Sequence, residues 1–405
     1  MRRRSDPTAK ARTPLPPGFG VIWTTVALDL LGFGIILPIL PIYGERFGAG
    51  PAAIGLLVAA FSAAQFVCAP LLGRLSDRIG RKPVILVSLF GTAAGSFLTG
   101  AAVGLWMLFL GRLVDGASGA SVSVAQGAVT DVAPPDQRPR LLGLLGAAFG
   151  VGFVLGPPLG GLAALVGPRV PFFVAGAIAL VNALVAIKRL PETNPTQARH
   201  EPPEQVARVE PEVTKRGRLT RLLVVAFAAT AAFAGFEATF SLLGQRRFDL
   251  TEGSITPLFF AIGIGLVIVQ GVVVGRVTER HGPNRTLQAA LILNAAGLLV
   301  LAVAHTWLVL AIALGLLVVG QGLATPTLAS VVASRADDDE RGHVLGKQQS
   351  AGALARIVGP IVAGLLFEHV SIAAPYLVGA ALVGVALALL VTERVPAVTH
   401  AALSD

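Results

Sequence analysis

Five ionisable residues stand inside long apolar stretches of this 405-residue chain: Asp29, Arg112, Asp115, Glu237 and Arg356. Charge in such surroundings is expensive, and its presence points to function by default. These residue types suit one kind of chemistry. How tightly a carboxylate holds its proton depends on how wet its site is and on which guanidinium lies near. Asp29, Asp115 and Glu237 can therefore exchange protons as their surroundings change, with no covalent step. Asp29 is the expected coupling carboxylate, and Glu237 is expected to bind substrate or a proton. Arg112 and Asp115 are three residues apart, so on a helix they share a face and can pair. Either the pair neutralises Arg112 at rest, or Asp115 is a further titrating group. Arg356 is expected to pair locally or to serve its half of the chain structurally.

Other chemistries lack their parts. Gly116-Ala-Ser118-Gly119 has the form of an intramembrane serine nucleophile, but that needs a buried histidine as base. The six histidines all fall in expected loops or tails. There is no H-E-x-x-H run, and the single cysteine, Cys68, excludes a disulfide framework and a cysteine-built metal site. No enzymatic activity, metal or cofactor is expected.

The elements that must position these charges are membrane spans. The chain is 54% hydrophobic and 14% charged, with a mean hydropathy of +0.74, whereas soluble domains carry about 25% charged residues. Twelve apolar segments are long enough to cross a bilayer as helices: 19–43, 51–73, 84–102, 104–130, 141–166, 171–190, 219–243, 255–275, 286–304, 306–333, 344–367 and 373–392. Arg2, Arg3 and Arg4 precede the first, but its length, its Asp29 and its prolines argue for a retained span over a cleaved signal.

The chain also repeats itself. GRLSDRIGRKP (Gly73–Pro83) returns as GRVTERHGPNR (Gly275–Arg285), DQRPRLLG (Asp136–Gly143) as DERGHVLG (Asp339–Gly346), and GPPLGG (Gly156–Gly161) as GPIVAG (Gly359–Gly364). Near-constant spacing between copies means two parallel repeats of one topology. The expected architecture is an all-α membrane protein of twelve transmembrane helices in two pseudo-symmetric six-helix bundles, 19–190 and 219–392. An N-terminal arm (1–18), a Pro-, Glu- and Arg-rich linker (191–218) and a tail (393–405) flank and join them.

Basic residues set the direction. Of 32 lysines and arginines, only Arg46, Arg169, Arg246 and Arg247 fall on one side, and Arg112 and Arg356 lie within spans. The rest fall on the other side, which is expected to be cytoplasmic together with both termini. The net charge of +9 then reflects scattered membrane anchors, and no nucleic-acid partner is expected.

At this point the residues resemble the major facilitator superfamily over nearly the whole chain, and within it the twelve-helix drug:proton antiporters of the tetracycline-efflux type. Three signatures carry the resemblance. Gly73, Asp77, Arg78, Gly80, Arg81 and Lys82 match the family hairpin G-x-x-x-D-R-x-G-R-R/K. The resemblance implies a conformational latch there, with two glycines allowing a tight turn. The second copy keeps Gly275, Arg276, Glu279, Arg280 and Gly282. Gly143, Gly152, Gly156, Pro157, Gly160 and Gly161 match the antiporter signature of helix 5, a smooth stripe for close helix approach. Asp29 with Gly32, Gly34, Pro38 and Pro41 resembles the first helix of the same branch. One departure is Asp115, where the family often has glutamine after the helix 4 arginine.

The resemblance implies a secondary transporter of the inner (plasma) membrane, acting as a monomer, which exports small amphipathic or drug-like compounds in exchange for protons by alternating access. A carrier for a metabolite or sugar is the alternative; a membrane enzyme or receptor is remote. Helices 1, 4, 7 and 10 line the central cavity in this superfamily, which would place Asp29, Arg112, Asp115 and Glu237 on one aqueous space. Phe33, Phe233, Phe236 and Phe240 are candidate walls, and Gln65 and Gln270 candidate hydrogen-bonding residues.

Overall fold

The computed structural model describes residues 15–119, 121–134, 137–193, 213–251, 254–334 and 341–392. Most of the arm, the linker and the tail, together with the charged repeat residues Asp136 and Asp339, lie outside them. The described residues form helices α1 (Phe19–Ile36), α2 (Leu40–Glu45), α3 (Pro51–Ile79), α4 (Arg81–Gly100), α5 (Leu105–Ser118), α6 (Ser121–Val132), α7 (Arg138–Val166), α8 (Val170–Arg189), α9 (Val213–Phe248), α10 (Thr256–Ile268), α11 (Val274–His281), α12 (Pro283–Ala302), α13 (Trp307–Ser334), α14 (Arg341–His369) and α15 (Ala374–Val391). His343, expected in a loop, falls in the first turn of α14.

All twelve spans are present; two are interrupted and a third carries an irregular turn. Span 1 breaks between α1 and α2 at Pro38, which has no N–H to donate and crowds the preceding turn. Span 4 breaks after Gly119. Its pieces, 14 and 12 residues long, are each too short to cross alone. Span 8 is continuous but passes through a π-turn at Val269–Val273, between α10 and α11. Such turns widen a helix by one residue and recur at functional sites.

The expected hairpins are tighter than the sequence suggested. α3 runs to Ile79 and α4 starts at Arg81, leaving Gly80 alone as the connection. Gly282 does the same between α11 and α12. Their φ angles of 103° and 80°, with ψ of 157° at each, belong to a region that is essentially glycine-only. Gly73, expected to share in the turn, lies inside α3. Its part of the motif is helical because nothing between it and Gly80 breaks a helix.

Small residues set the packing. In the first half α1 and α7 cross at Gly34, Gly152, Gly156 and Gly160. A side chain added at Gly34 would strike the carbonyl of Gly152, and one at Gly160 the carbonyl of Ile35. In the second half α9 and α14 cross in the same manner, Gly359 lying on the carbonyl of Ala231. The repeat thus builds the same crossing twice. Four apolar cores follow among the described residues, the largest mostly in the second half around Phe236, Phe240, Leu291 and Tyr376 and reaching Ile42, Ala49 and Ile54 of the first.

The halves meet at the end of the bundle remote from the hairpins. There Gly55 of α3 lies on the carbonyl of Pro360 of α14, and Gly364 on the carbonyl of Pro51. Ser241 donates to the Pro38 carbonyl at 2.9 Å. Glu368 accepts the N–H of Ala52 at 2.7 Å. Toward the hairpin end the facing surfaces part. Phe66, three turns along α3 from Gly55, is 44% exposed, and side chains added at Gly73, Gly346 or Gly352 would meet nothing within 4 Å. Among the described residues, the halves touch at the far end and part toward the basic end.

Candidate functional site

The charges separate into two groups, one in each half. In the first half, Arg112 Nη1 donates to Asp115 Oδ2 at 2.9 Å, the pair expected from their spacing. Both are buried, at 2% and 5% exposure. The open cavity position expected for them is therefore corrected. Two features enclose them. Gly91 and Gly95 on α4 have no side chains, so α5 lies against α4 at Ser118 and at the Asp115 backbone. On the other side Phe61 of α3 covers Arg112, whose guanidinium carbon is 4.4 Å from the ring centre, a cation–π contact. Phe33 extends this wall, its ring 5.2 Å from Phe61.

Asp29 is close enough to Asp115 for the two to feel each other's charge, and the Thr92 hydroxyl lies near enough to favour the ionised form of Asp115. Ser121, the first residue of α6, donates to Asp29 Oδ2. Asp29 Oδ1 is enclosed and, among the described residues, has no hydrogen-bond partner. Gln65, expected in a cavity wall, instead donates from Nε2 to the Gly119 carbonyl at 2.7 Å. It satisfies a backbone group at the break, as an interrupted span requires.

In the second half, Glu237 of α9 is half-buried and Arg356 of α14 exposed. Each feels the other's charge. Glu237 lines a recess between the halves with Gly34, Leu37, Pro38, Pro157, Phe233, Phe236 and Phe259. Phe233 and Phe236 also line a smaller recess with Leu317 and Gln321. Phe240 is fully enclosed, packed edge-on against Phe259, so it supports the wall from behind and does not form its surface. Gln270 sits in the π-turn and is exposed.

The hairpin residues form a network within the first half. Arg81, 7% exposed, joins Asp77 Oδ1 at 2.7 Å and Asp131 Oδ2 at 3.0 Å, and donates to Ser76 Oγ at 2.6 Å. Glu192, just after α8, accepts the backbone N–H groups of Arg81 and Lys82 at 2.8 and 3.1 Å. It thereby caps α4 at its positive end. A side chain at Gly80 would press on that carboxylate. Arg78 is exposed and Lys82 half-buried. Of the helix 5 signature, Gly152, Gly156 and Gly160 make the α1–α7 crossing, Pro157 faces the recess, Gly161 is buried, and Gly143 is exposed with open space beside it.

Several participants were not anticipated: Phe61, Thr92, Ser121, Glu192 and Glu368. Only Ser121 had a visible signal, as a hydroxyl two residues after a glycine inside a span. The far-end basic residues also gain explanations. Arg247 donates to the Ala302 and Ala304 carbonyls at 2.9 and 3.0 Å, and Arg169 to the Ala102 carbonyl at 3.3 Å. Arg246 lies 4.0 Å from Glu45. Burial raises the Glu45 carboxyl above its ordinary range, against the opposing pull of Arg246.

Known proteins place this arrangement. The chain is 31% identical over 356 residues to a class H tetracycline resistance protein of Pasteurella multocida, covering 86% of this chain and 88% of the relative. It is 33% identical over 354 residues to a class E tetracycline resistance protein of Escherichia coli, covering 85% and 86%. It is 28% identical over 385 residues to multidrug resistance protein 1 of Bacillus subtilis (strain 168), covering 93% and 96%. Among solved structures, a human organic anion transporter superposes with a TM-score of 0.72 at 28% identity, over 93% of this chain and all of that one. A nucleoside transporter shares the fold, with a TM-score of 0.74 at 14% identity, covering 93% of this chain and 100% of that one. Residues 22–288 and 264–404 match the profile of the Major Facilitator Superfamily, so two pseudo-symmetric bundles, a cleft between them and charges at mid-span belong to a multi-pass membrane transporter, not an enzyme, and the chain is a member of that superfamily.

Proposed function

We propose that this transporter exports small amphipathic or drug-like compounds in exchange for protons, by alternating access, as a monomer in the plasma membrane. The observation that carries the reading is Asp29: a carboxylate within a span, one oxygen held by Ser121 and the other enclosed without a partner among the described residues. Its charge is coupled to Asp115 and, through Asp115, to Arg112. Movement of α1, α5 or α6 alters how well the ionised form is supported, so proton uptake and release follow the conformational cycle. The tetracycline and multidrug resistance relatives support a drug-like cargo.

With the basic end cytoplasmic, as the charge distribution implies, the cleft opens toward the cytoplasm. An exporter loads its cargo in that state. The hairpin network at Arg81 would act as the latch when that end closes, with Asp77 exchanging its contacts.

The test is substrate-dependent proton flux in liposomes across a compound panel that includes tetracycline and ethidium. Asp29→Asn should abolish accumulation against a gradient and leave some downhill movement. Asp115→Asn is the matched control; if its pair with Arg112 is structural, it should lower protein yield more than it alters pH dependence. Normal pH-driven transport by Asp29→Asn would move the proton role to another carboxylate, and loss of downhill movement as well would make Asp29 a binding residue.

A further inference from the structure

Two opposite charges face the cleft without partners. Among the described residues no hydrogen bond or ion pair reaches Arg356 or Glu237, and the only charge acting on each is the other, through space. Neighbouring contacts fix where both point. On α14, Pro360 and Gly364 touch α3 across the junction of the halves. Arg356 is one turn before Pro360 and shares its face. On α9, Ser241 bonds to Pro38 across the same junction. Glu237 is one turn before Ser241 and lines the recess with Pro38. Both therefore look toward the first half from just inside the far-end closure.

The open cleft lets water serve Arg356. Alternating access requires that end to close, and a guanidinium that loses its water needs an anion. Among the described residues the mid-span carboxylates of the first half are engaged, Asp115 with Arg112 and Asp29 with Ser121. Glu237 is not within ion-pair distance of Arg356. An acidic group on the cargo would supply the missing anion. Arginine suits this role, since its planar fork matches a carboxylate or sulfonate with two parallel bonds. The apolar recess at Phe233, Ile262 and Leu266 then receives the hydrophobic body.

We propose that the second half selects amphipathic compounds that carry an acidic group, which Arg356 receives while Glu237 faces a basic or hydroxyl group elsewhere on the same molecule. This rests on the export reading above and names the substrate class for it. A purely cationic compound would serve Glu237 and leave Arg356 bare.

Rhodamine B and its ethyl ester form a matched pair of probes, with the same cationic ring system and the carboxylate masked in the ester. Binding to the full-length protein in detergent is read by fluorescence anisotropy. The wild type should bind rhodamine B about tenfold tighter than the ester, the scale of one charge-assisted hydrogen bond. Arg356→Gln should erase that preference by weakening rhodamine B at least to the level of the ester, and Arg356→Lys should keep part of it. The ester Kd also reports that each variant is folded. Equal or tighter binding of the ester by the wild type overturns the proposal. So does an equal loss for both probes in a folded Arg356→Gln, or binding of neither probe. Liposome transport separates the two readings: acid-selective binding with no proton-driven movement of either probe would refute export by proton exchange and leave the acid site standing.

Discussion

Glu368→Gln tests what holds the far end shut. In the structure Glu368 reaches from the end of α14 to the first turn of α3, where its Oε2 accepts the Ala52 N–H at 2.7 Å. Glutamine keeps an oxygen acceptor of nearly the same reach and loses the charge. A hydrogen bond to a charged group contributes about 1.5–3 kcal/mol and a neutral one about 1 kcal/mol. An exposed carboxylate at a helix N-terminus adds about 0.3–1 kcal/mol. Glu368 is exposed, so the lower values apply, and the net loss is about 1 kcal/mol. The ratio of far-closed to far-open molecules should then fall about fivefold. The assay is electron–electron distance measurement between spin labels at Val103 and Trp307, which lie at the far end of opposite halves and are 74% and 56% exposed. Cys68→Ser removes the one native thiol. The long-distance population should grow in Glu368→Gln and grow further in Glu368→Ala. An unchanged distribution, or a shift toward shorter distances, would refute the argument that this contact closes the far end.

Three further outcomes are expected. Gly156→Ala places a methyl carbon 2.6 Å from Gly34 Cα and 2.9 Å from Ile35 N; with backbone on the receiving side nothing can rotate away, so overpacking should cost about 1–3 kcal/mol and lower the melting temperature in detergent, whereas Gly143→Ala should not. Arg81→Ala removes a buried ion pair with Asp131 and should reduce the yield of folded protein, while Asp77→Asn should insert normally and lose transport; equal yields for the two would remove the distinction between scaffold and latch. A C-terminal alkaline phosphatase fusion, active only outside the cytoplasm, should be silent, and a strong signal would reverse the assigned direction.

Much of the fold was legible because its determinants are local. Hydrophobic length gave the spans, and repetition gave two halves of one topology; that α1–α7 and α9–α14 make matching crossings is seen only in the structure. The interruptions were less legible. Pro38 announces a break, but Gly119 looks like any other small residue in a span, and the carbonyl freed there is satisfied by Gln65 on a different helix. The Arg112–Asp115 pair followed from spacing along one helix. Its burial did not, because that depends on Gly91 and Gly95 of α4 and on Phe61 of α3, which meet only after folding. Phe240 failed as a wall residue for the same reason: span membership says which element carries a ring, and packing decides which way the ring faces.

The single-residue connection at Gly80 has a mechanical consequence. With no slack between α3 and α4, neither helix can tilt without carrying the other. α3 has 29 residues, about 43 Å of helix, with one end pressed on α14 at Gly55 and the other fixed to α4. α4 in turn lies against the backbone of Asp115 through Gly95. The assembly is a lever with its fulcrum near the far end, so a small rotation there is delivered as a larger displacement at the basic end and passes the buried charges on the way.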